Sequence, residues 1–562
     1  MLYPLLIQVG RAFMDQSRPS LFWIRRALDN HEFRRQLLTS LALALVVTLL
    51  CNLLAFPLAL ISRAFLFPGK RLLGALVLLP MILPPFVGAI GMRQLLGTFG
   101  SLTVLLQHLG LVSPHEGINW LTAGGFWALA ALISLGLYPI AYLNLQAALA
   151  NIDPAMLEAA QNLGSRRFRT FFRITLPLAM PGVFAGSTLI FIWAFTELGT
   201  PLLLQYRHVV SRSIWDDLAA SSTGANSLGF AKVVVVLIIS VCAYLAGKTL
   251  FGRSGSSLAM TSKAAVAPTT RPLSRAAGLL AALPFLLVTF LAVLPHIGVI
   301  LYSVTAIASE HAVGWGPPDR FGWYRTIIPD RYTLQGFRSV FESPEIYTSI
   351  LNSIRYASTA TFIDILLGVS IAWMLVRSRA PGRGVLDALA MLPLAVPGLV
   401  MAFGFIAVLL QFNLRTMLQT GPFWILVIAY AVRRLPFLVR SAAGGLEQTS
   451  TTLEEAAANL GAPPGRVLLK ITLPLILANL IAGSLLTFSF AMLEVSDSLL
   501  LAQVQKYYPI TRTIYVLAND MSGPANVRNA CALGVIAMAL LGLTILAASW
   551  LMGKKLGSAF RA

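Results

Sequence analysis

The chain has 562 residues, of which 57% are apolar and only 11% charged, and its mean hydropathy is +0.77. A soluble domain carries about 25% charged residues, so this composition excludes an ordinary water-facing surface and fits a polytopic membrane protein. The net charge of +20 would suit a nucleic-acid partner, but the Lys and Arg residues are scattered through short loops between apolar runs, so none is expected.

In chain order, the first apolar run, Met1 to Met14, has no basic leader and so lacks the form of a cleavable signal peptide. Runs near the roughly 20 residues needed to cross hydrocarbon follow at about 38–61, 72–96, 121–145, 178–204 and 229–251. Six more lie at about 276–304, 350–376, 386–410, 422–441, 475–502 and 530–553. Lipid offers backbone groups no partners, so these eleven spans are predicted to be helices. Cys51, Cys242 and Cys531 all fall inside apolar runs, too far apart in sequence for a disulfide framework or a metal site, and are expected to serve helix packing.

Loop charges set the orientation. Arg63, Lys70 and Arg71; Arg166, Arg167, Arg169 and Arg173; Lys248, Arg253, Lys263, Arg271 and Arg275; Arg377, Arg379 and Arg383; and Lys554, Lys555 and Arg561 all fall on one side if each span crosses once. The opposite-side segment 97–120 has no Lys or Arg, so the basic side is predicted to be cytoplasmic. One region resists. Tyr3-Pro4-Leu5-Leu6-Ile7 matches Leu294-Pro295-His296-Ile297, the tail of the 276–304 span, and a short first helix leaves Arg11, Arg18, Arg25, Arg26, Arg34 and Arg35 outside. Either this helix is shortened or the true start lies upstream, giving 11 or 12 spans.

The two halves repeat. Ser40 matches Ser353, Pro68-Gly69 matches Pro381-Gly382, Leu79-Pro80 matches Leu392-Pro393 and Pro84 matches Pro397, all 313 residues apart. Further on, Ser187 matches Ser484 and Glu197 matches Glu494 at an offset of 297. The domains are therefore a first repeat at 1–252, a cytoplasmic linker rich in Ser, Ala, Thr and Pro at 253–275, and a second repeat at 276–562. Both repeats start in the same direction, so they are parallel, with a pathway expected between them.

One motif is duplicated without change in spacing: Glu158-Ala159-Ala160, Gly164, Ile174-Thr175-Leu176-Pro177, and Glu455-Ala456-Ala457, Gly461, Ile471-Thr472-Leu473-Pro474. Asp153-Pro154 is a good helix start and Gly164 a left-handed stop. A second helix is expected over Arg166 to Ile174, with Pro177 opening the next span. In the other copy Thr452 and Glu455 have capping-box spacing. A short helix, a Gly turn and another short helix form a rigid protrusion able to pass movement to the spans at its ends. Caps and turns alone would account for one copy; two copies with the same spacing, both on the basic side, favour coupling.

This pattern, at about 150–177 and 447–474, resembles the cytoplasmic coupling loop of permease subunits in binding-protein-dependent ATP-driven importers. The fused arrangement, with Leu-Pro-Met-Ile-Leu-Pro-Pro at 79–85 and Phe-Thr-Glu-Leu-Gly-Thr-Pro at 195–201, looks like the ferric-iron permease group, with thiamine and aminoethylphosphonate permeases close by. The resemblance implies an all-α fold of the type I importer kind, two parallel pseudo-symmetric repeats of five to six transmembrane helices in the bacterial inner membrane. It implies a homodimeric ATP-binding cassette ATPase beneath and a periplasmic substrate-binding protein above. It also implies that Glu158, Ala159, Ala160, Gly164, Glu455, Ala456, Ala457 and Gly461 contact the ATPase.

The chain itself is expected to bind no cofactor and to be no enzyme, ATP and Mg being used by the partner. Gly247-Lys248-Thr249 ends like a Walker A motif, but Cys242 stands where the first glycine is required. Glu197 and Glu494 lie deep in matching spans, where ionisable groups usually face a cavity; they line a pathway for a cationic or metal-bound substrate, hold a periplasmic gate, or hydrogen-bond a neighbouring helix near the outer interface. Asp364, matched by Cys51, reads as a local structural contact, and Arg433 and Arg434, matched by Gly136 and Leu137, as snorkelling or coupling residues. The prolines at 84, 85 and 397 read as kinks. An ion-gradient-driven transporter of two repeated bundles is the alternative class, and it leaves the twin loops without a purpose.

Overall fold

The computed structural model describes residues 2–15, 18–82, 85–98, 100–113, 116–150, 152–220, 227–251, 271–306, 331–378, 380–414, 416–520 and 523–552. Most of the linker and its Arg253 and Lys263, together with Pro84, Arg379, Lys554, Lys555 and Arg561, lie outside these residues. Among the described residues, at least nine helices recur in each half in one order. In the first half they are α1 (Leu2–Ala12), α2 (His31–Ala64), α3 (Pro85–Leu96), α4 (Trp120–Ala150), α5 (Pro154–Asn162), α6 (Leu176–Phe195), α7 (Gly199–Leu203), α8 (Val210–Ala220) and α9 (Ser227–Phe251). Their counterparts are α10 (Arg275–Ser303), α11 (Pro344–Val376), α12 (Gly398–Gln411), α13 (Phe423–Gln448), α14 (Thr452–Asn459), α15 (Leu477–Met492), α16 (Ser496–Leu501), α17 (Ile510–Asn519) and α18 (Pro524–Met552).

The long helices show why an apolar sequence folds this way in lipid. On α2, Leu38, Leu45, Leu49 and Leu53 are exposed at helical spacing, while Leu37, Ala44, Val47, Cys51, Ala55 and Leu58 are buried on the opposite face. One stripe meets hydrocarbon and the other meets α4 and α6. The second half repeats the plan, with α11 packed on α13 and α15.

Among the described residues, eight helices are long and apolar enough to cross a membrane, or up to ten if each of two bent pairs counts as one span. Several of the eleven predicted spans need correction, and the runs at 178–204 and 475–502 each break between a long helix and a short one, α6 to α7 and α15 to α16. The run at 72–96 is not one helix: Lys70–Leu76, a 3-10 turn at Leu79–Ile82 and α3 follow in series, because Pro80 and Pro85 interrupt the backbone ladder. Its counterpart at 386–410 bends by 106° between Arg383–Ala395 and α12, with Pro397 at the break. The run at 422–441 belongs to α13, a helix of 26 residues that is outside those ten because it carries Arg433, Arg434 and Arg440.

The first helices are exchanged between the halves. α1 packs on α12 of the second half, and α10 packs on α3 of the first. Glycines permit both crossings. A Cβ at Gly91 would sit 2.6 Å from Val299 N, and one at the matching Gly404 would sit 3.1 Å from Pro4 Cβ. α1 thus occupies the place of the end of α10, as the match of Tyr3–Ile7 to Leu294–Ile297 predicts.

Three of the predicted cytoplasmic segments meet at one end of the bundle. Phe65–Leu66 pairs in parallel with Arg271–Pro272, joining the end of α2 to the start of α10. Arg63 Nη2 donates to Ile152 O at 3.0 Å beside the first coupling loop, and Arg377 Nη2 donates to Thr449 O at 2.9 Å beside the second. Ile152 and Thr449 are a matched pair, so each loop is tied to the long helix of its own half.

Candidate functional site: coupling loops and a central cavity

Each coupling loop is built by the same local chemistry. Asp153 accepts from Ala155 N at 2.8 Å and starts α5. The helix stops at Gly164, φ +77°, where Ser165 N reaches back to Ala160 O at 2.9 Å. In the second copy Gly461 has φ +81° and Ala462 N donates to Ala457 O at 3.0 Å. Both are the left-handed closure that glycine allows. The predicted Thr452–Glu455 capping box is absent: Thr452 is already inside α14, and Ser450 Oγ accepts from Thr452 N at 3.2 Å instead.

The loop then enters the next span through a π turn, Phe171–Thr175 in one half and Leu468–Thr472 in the other. Pro177 and Pro474 cannot donate, and their rings crowd the preceding carbonyls, which the wider turn relieves. The single predicted helix over Arg166 to Ile174 is therefore an α turn, Arg167–Thr170, followed by this π turn.

Glu158, Ala159 and Gly164 are exposed and Ala160 is buried; Glu455, Ala456 and Gly461 are exposed and Ala457 is half-buried. The acid that anchors the second loop is Glu454, not Glu455: it pairs with Arg377 at 3.2 Å and accepts from Thr472 Oγ1 at 3.1 Å. Two residues escaped the sequence reading. Leu163 is 88% exposed and Leu460 is 89% exposed, and each immediately precedes the turn glycine. The repeat alone could have flagged them, as matched leucines in otherwise polar loops.

Between the halves lies a cavity of about 170 Å³, lined in matched pairs that include Pro80 and Pro393, Gly136 and Arg433, Leu137 and Arg434, Trp193 and Phe490, and Glu197 and Glu494. Trp193 and Phe490 meet edge to face with centroids 6.0 Å apart, so the pseudo-twofold axis runs beside them. Trp215 and Tyr515, at 6.2 Å, make a second edge-to-face contact between the halves.

Both glutamates therefore face the cavity, from the breaks that follow α6 and α15. The backbone around them is the same in each half. Ser211 Oγ donates to Glu197 O at 2.6 Å, and Thr511 Oγ1 donates to Glu494 O at 2.7 Å. Val210 N donates to Ser40 Oγ and Ile510 N to Ser353 Oγ, each at 2.8 Å.

Their side chains differ. The Glu197 carboxylate accepts from Thr200 N at 2.9 and 3.2 Å, capping α7, and no Lys or Arg among the described residues pairs with it. Glu494 is 2% exposed; it takes Arg433 Nη1 at 2.5 Å and is also paired with Arg434 Nη2. Asp497, fully buried, lies 3.6 Å from Arg433. So Arg433 and Arg434 do not snorkel: they are held at the cavity by a buried acid. Gly398 makes room for them, because a Cβ there would overlap the Arg433 guanidinium. In the first half the sizes are reversed, with Pro85 filling the space beside Gly136. Asp364 makes no local hydrogen bond among the described residues, contrary to the structural contact predicted for it. The Gly247-Lys248-Thr249 triplet lies within α9, a helix rather than a strand-to-helix loop. Among the described residues no group of three or more His, Cys, Asp or Glu is placed to hold a metal ion.

The duplicated architecture has a counterpart among known proteins. The family model described as "Binding-protein-dependent transport system inner membrane component" matches residues 52–253 and again 364–556, once per half. The chain is 27% identical over 485 residues to the ferric transport system permease protein FbpB of Actinobacillus pleuropneumoniae, covering 85% of this chain and 65% of that protein. It is 27% identical over 507 residues to the putative ferric transport system permease protein FbpB 1 of Haemophilus influenzae, covering 88% of this chain and 74% of that one. A shorter relative is the molybdenum transport system permease protein ModB of Escherichia coli, 31% identical over 227 residues, covering 38% of this chain and 95% of ModB. With a family match over both repeats and well over half its length, the chain belongs to the inner membrane components of binding-protein-dependent transport systems.

Proposed function

We propose that this chain is a two-repeat permease of an ATP-driven importer, taking ferric iron from a periplasmic binding protein to the cytoplasm. The observation that carries the reading is the pair of coupling loops: two copies of one protrusion, closed by glycines at positive φ, each presenting one of the two most exposed large hydrophobic side chains described, Leu163 and Leu460. Leucines that exposed on polar loops suit burial by another protein. Two equivalent loops suit two copies of one ATPase, which would use ATP and Mg while this chain remains non-enzymatic. Glu158, Ala159, Ala160 and Gly164, and Glu455, Ala456, Ala457 and Gly461, form the docking elements.

On this reading the loops and the C-terminus are cytoplasmic, and the breaks after α6 and α15 face the route of the cargo. Iron is favoured over thiamine or an aminoethylphosphonate because the FbpB relatives above, each spanning most of the chain, are named for ferric transport, and because Glu197 offers a carboxylate to the cavity. An ion-gradient-driven transporter would leave the twin loops unused.

The test is uptake of radiolabelled ferric iron by iron-starved cells lacking the gene, with the chain restored as wild type or as Gly461→Pro. Proline cannot adopt φ near +81°, so the variant is expected to enter the membrane and lose essentially all uptake. Normal uptake by Gly461→Pro would defeat the coupling assignment. No uptake by the wild type, with thiamine or phosphonate uptake in its place, would move the substrate and keep the permease.

A further inference from the structure

The two bundles share a backbone plan but differ in one core layer. In the second half Leu438 of α13 packs on Gly368 of α11 and on Gly483 of α15, its side chain 2.8 and 3.2 Å from where their Cβ atoms would be. α11 and α13 run in the same direction: Tyr356 meets Phe423 near their starts, and Arg377 meets Thr449 at their ends. α15 runs against them, since Asn479 contacts Ser441 while Phe490 contacts Phe437. One helical turn outward from the Leu438 layer therefore lie Asp364, Arg434 and Thr487 together.

All three are buried, at 0%, 7% and 0% exposure. Neither Asp364 oxygen, nor Thr487 Oγ1, nor Arg434 Nε has a hydrogen-bond partner among the described residues. Arg434 acts electrostatically on Asp364. The first half has Cys51, Leu137 and Ile190 at these places, and Cys51 Sγ simply donates to Ser134 O at 3.5 Å.

A buried carboxyl group without a hydrogen-bond partner is costly to keep, and an apolar layer was available, as the first half demonstrates. The acid therefore needs a use in a second arrangement. Each arginine has an acid besides Glu494: Asp497 lies 3.6 Å from Arg433, and Asp364 shares a layer with Arg434. Two arginines face three acids. If both arginines move to their second acids, every arginine stays paired and Glu494 alone is left free, at the cavity and across from Glu197.

On the reading that the cargo is cationic, we propose that Arg434 is a two-position residue which passes from Glu494 to Asp364, releasing Glu494 to join Glu197 as a transient pair of cation-binding carboxylates. The cavity is closed to cations while Glu494 is held by the arginines and open to them once it is released. Asp364 is then a positioning residue, acting on the cargo only through Arg434.

The experiment is ATP-dependent uptake of radiolabelled ferric ion, delivered by the cognate binding protein, in vesicles carrying the assembled transporter. The variants are Asp364→Asn, Asp364→Cys, Glu494→Gln and the double Asp364→Asn/Glu494→Gln, each normalised to the amount of chain in the membrane. Asp364→Asn keeps shape and removes charge; Asp364→Cys installs the residue that the first half packs in the same place. Both are expected to lower uptake at least tenfold. The double variant is expected to be no slower than Glu494→Gln alone, because Asp364 has no purpose once Glu494 is gone. Wild-type rates in both Asp364 variants would overturn the switch, as would a double variant whose loss is the product of the single losses. Wild-type uptake in the same vesicles tests the permease reading separately: its absence defeats that reading, whereas its presence alongside unaffected Asp364 variants defeats the switch alone.

Discussion

The coupling loops and the cavity walls descend from the same repeat and have fared differently. The loops keep one plan: glycines at +77° and +81°, a π turn before each proline, an arginine from each long helix on a matched carbonyl. The cavity has lost its symmetry in the side chains while keeping it in the backbone. Ser211 and Thr511 hold the Glu197 and Glu494 carbonyls alike, yet one carboxylate caps a short helix and the other sits between two arginines. On the proposed reading, two equal docking elements suit a symmetric partner. A single cargo crossing the axis needs no symmetric wall, so charge could concentrate in one half.

Substitutions at matched positions test that contrast. The largest effect is expected at Glu494. Glu494→Gln removes the anion that both buried arginines hold in this arrangement and is expected to cost about 3 kcal/mol, the second acids beside them limiting the loss, whereas Glu197→Gln only weakens one capping hydrogen bond, at about 1 kcal/mol. Thermal unfolding of the detergent-solubilised chain measures both; equal shifts would erase the asymmetry.

Next is the packing exchange beside the arginine. Gly398→Ala forces the Arg433 guanidinium aside and is expected to destabilise by about 1–3 kcal/mol. In an Arg433→Gly background the same alanine has space, as the first half's Pro85 has beside Gly136. The two changes should therefore be non-additive by about 0.5–3 kcal/mol; strict additivity would mean that the pair is not coupled.

The smallest effect on the fold is expected at the loop tips. Leu163→Asp and Leu460→Asp touch little and should each shift stability by no more than about 0.5 kcal/mol. Retention of the ATPase on affinity-purified chain should fall in either variant and further in the double. Full retention in the double variant would remove the leucines from the interface.

Much of this was legible in the chain. Helical spans follow from runs of apolar residues in a solvent without hydrogen bonds, and the 313- and 297-residue offsets align features that the structure brings into register, such as Ser40 with Ser353. The equivalence of α1 to the end of α10 was legible too, from Pro4 matching Pro295. The breaks inside the predicted spans were less so, because hydropathy averages over a bend: the 106° turn before α12 leaves composition unchanged. Thr452 failed as a cap because it lies inside the helix, where Glu455 N already donates to Thr451 O and Ser450 Oγ takes the Thr452 N–H that Glu455 was to reach.

By itself, then, the sequence determined the membrane environment, the twofold repeat and the chemistry of the coupling loops, since each depends on residues close together in the chain or on composition alone. Only the tertiary structure decided that the first helices are exchanged between halves, that Arg433 and Arg434 meet Glu494 from sixty residues away, and that Asp364 shares a layer with Arg434. Those are distances between helices. A charged side chain in lipid must find its partner across that gap, and the linear pattern shows that it needs one without showing which one it finds.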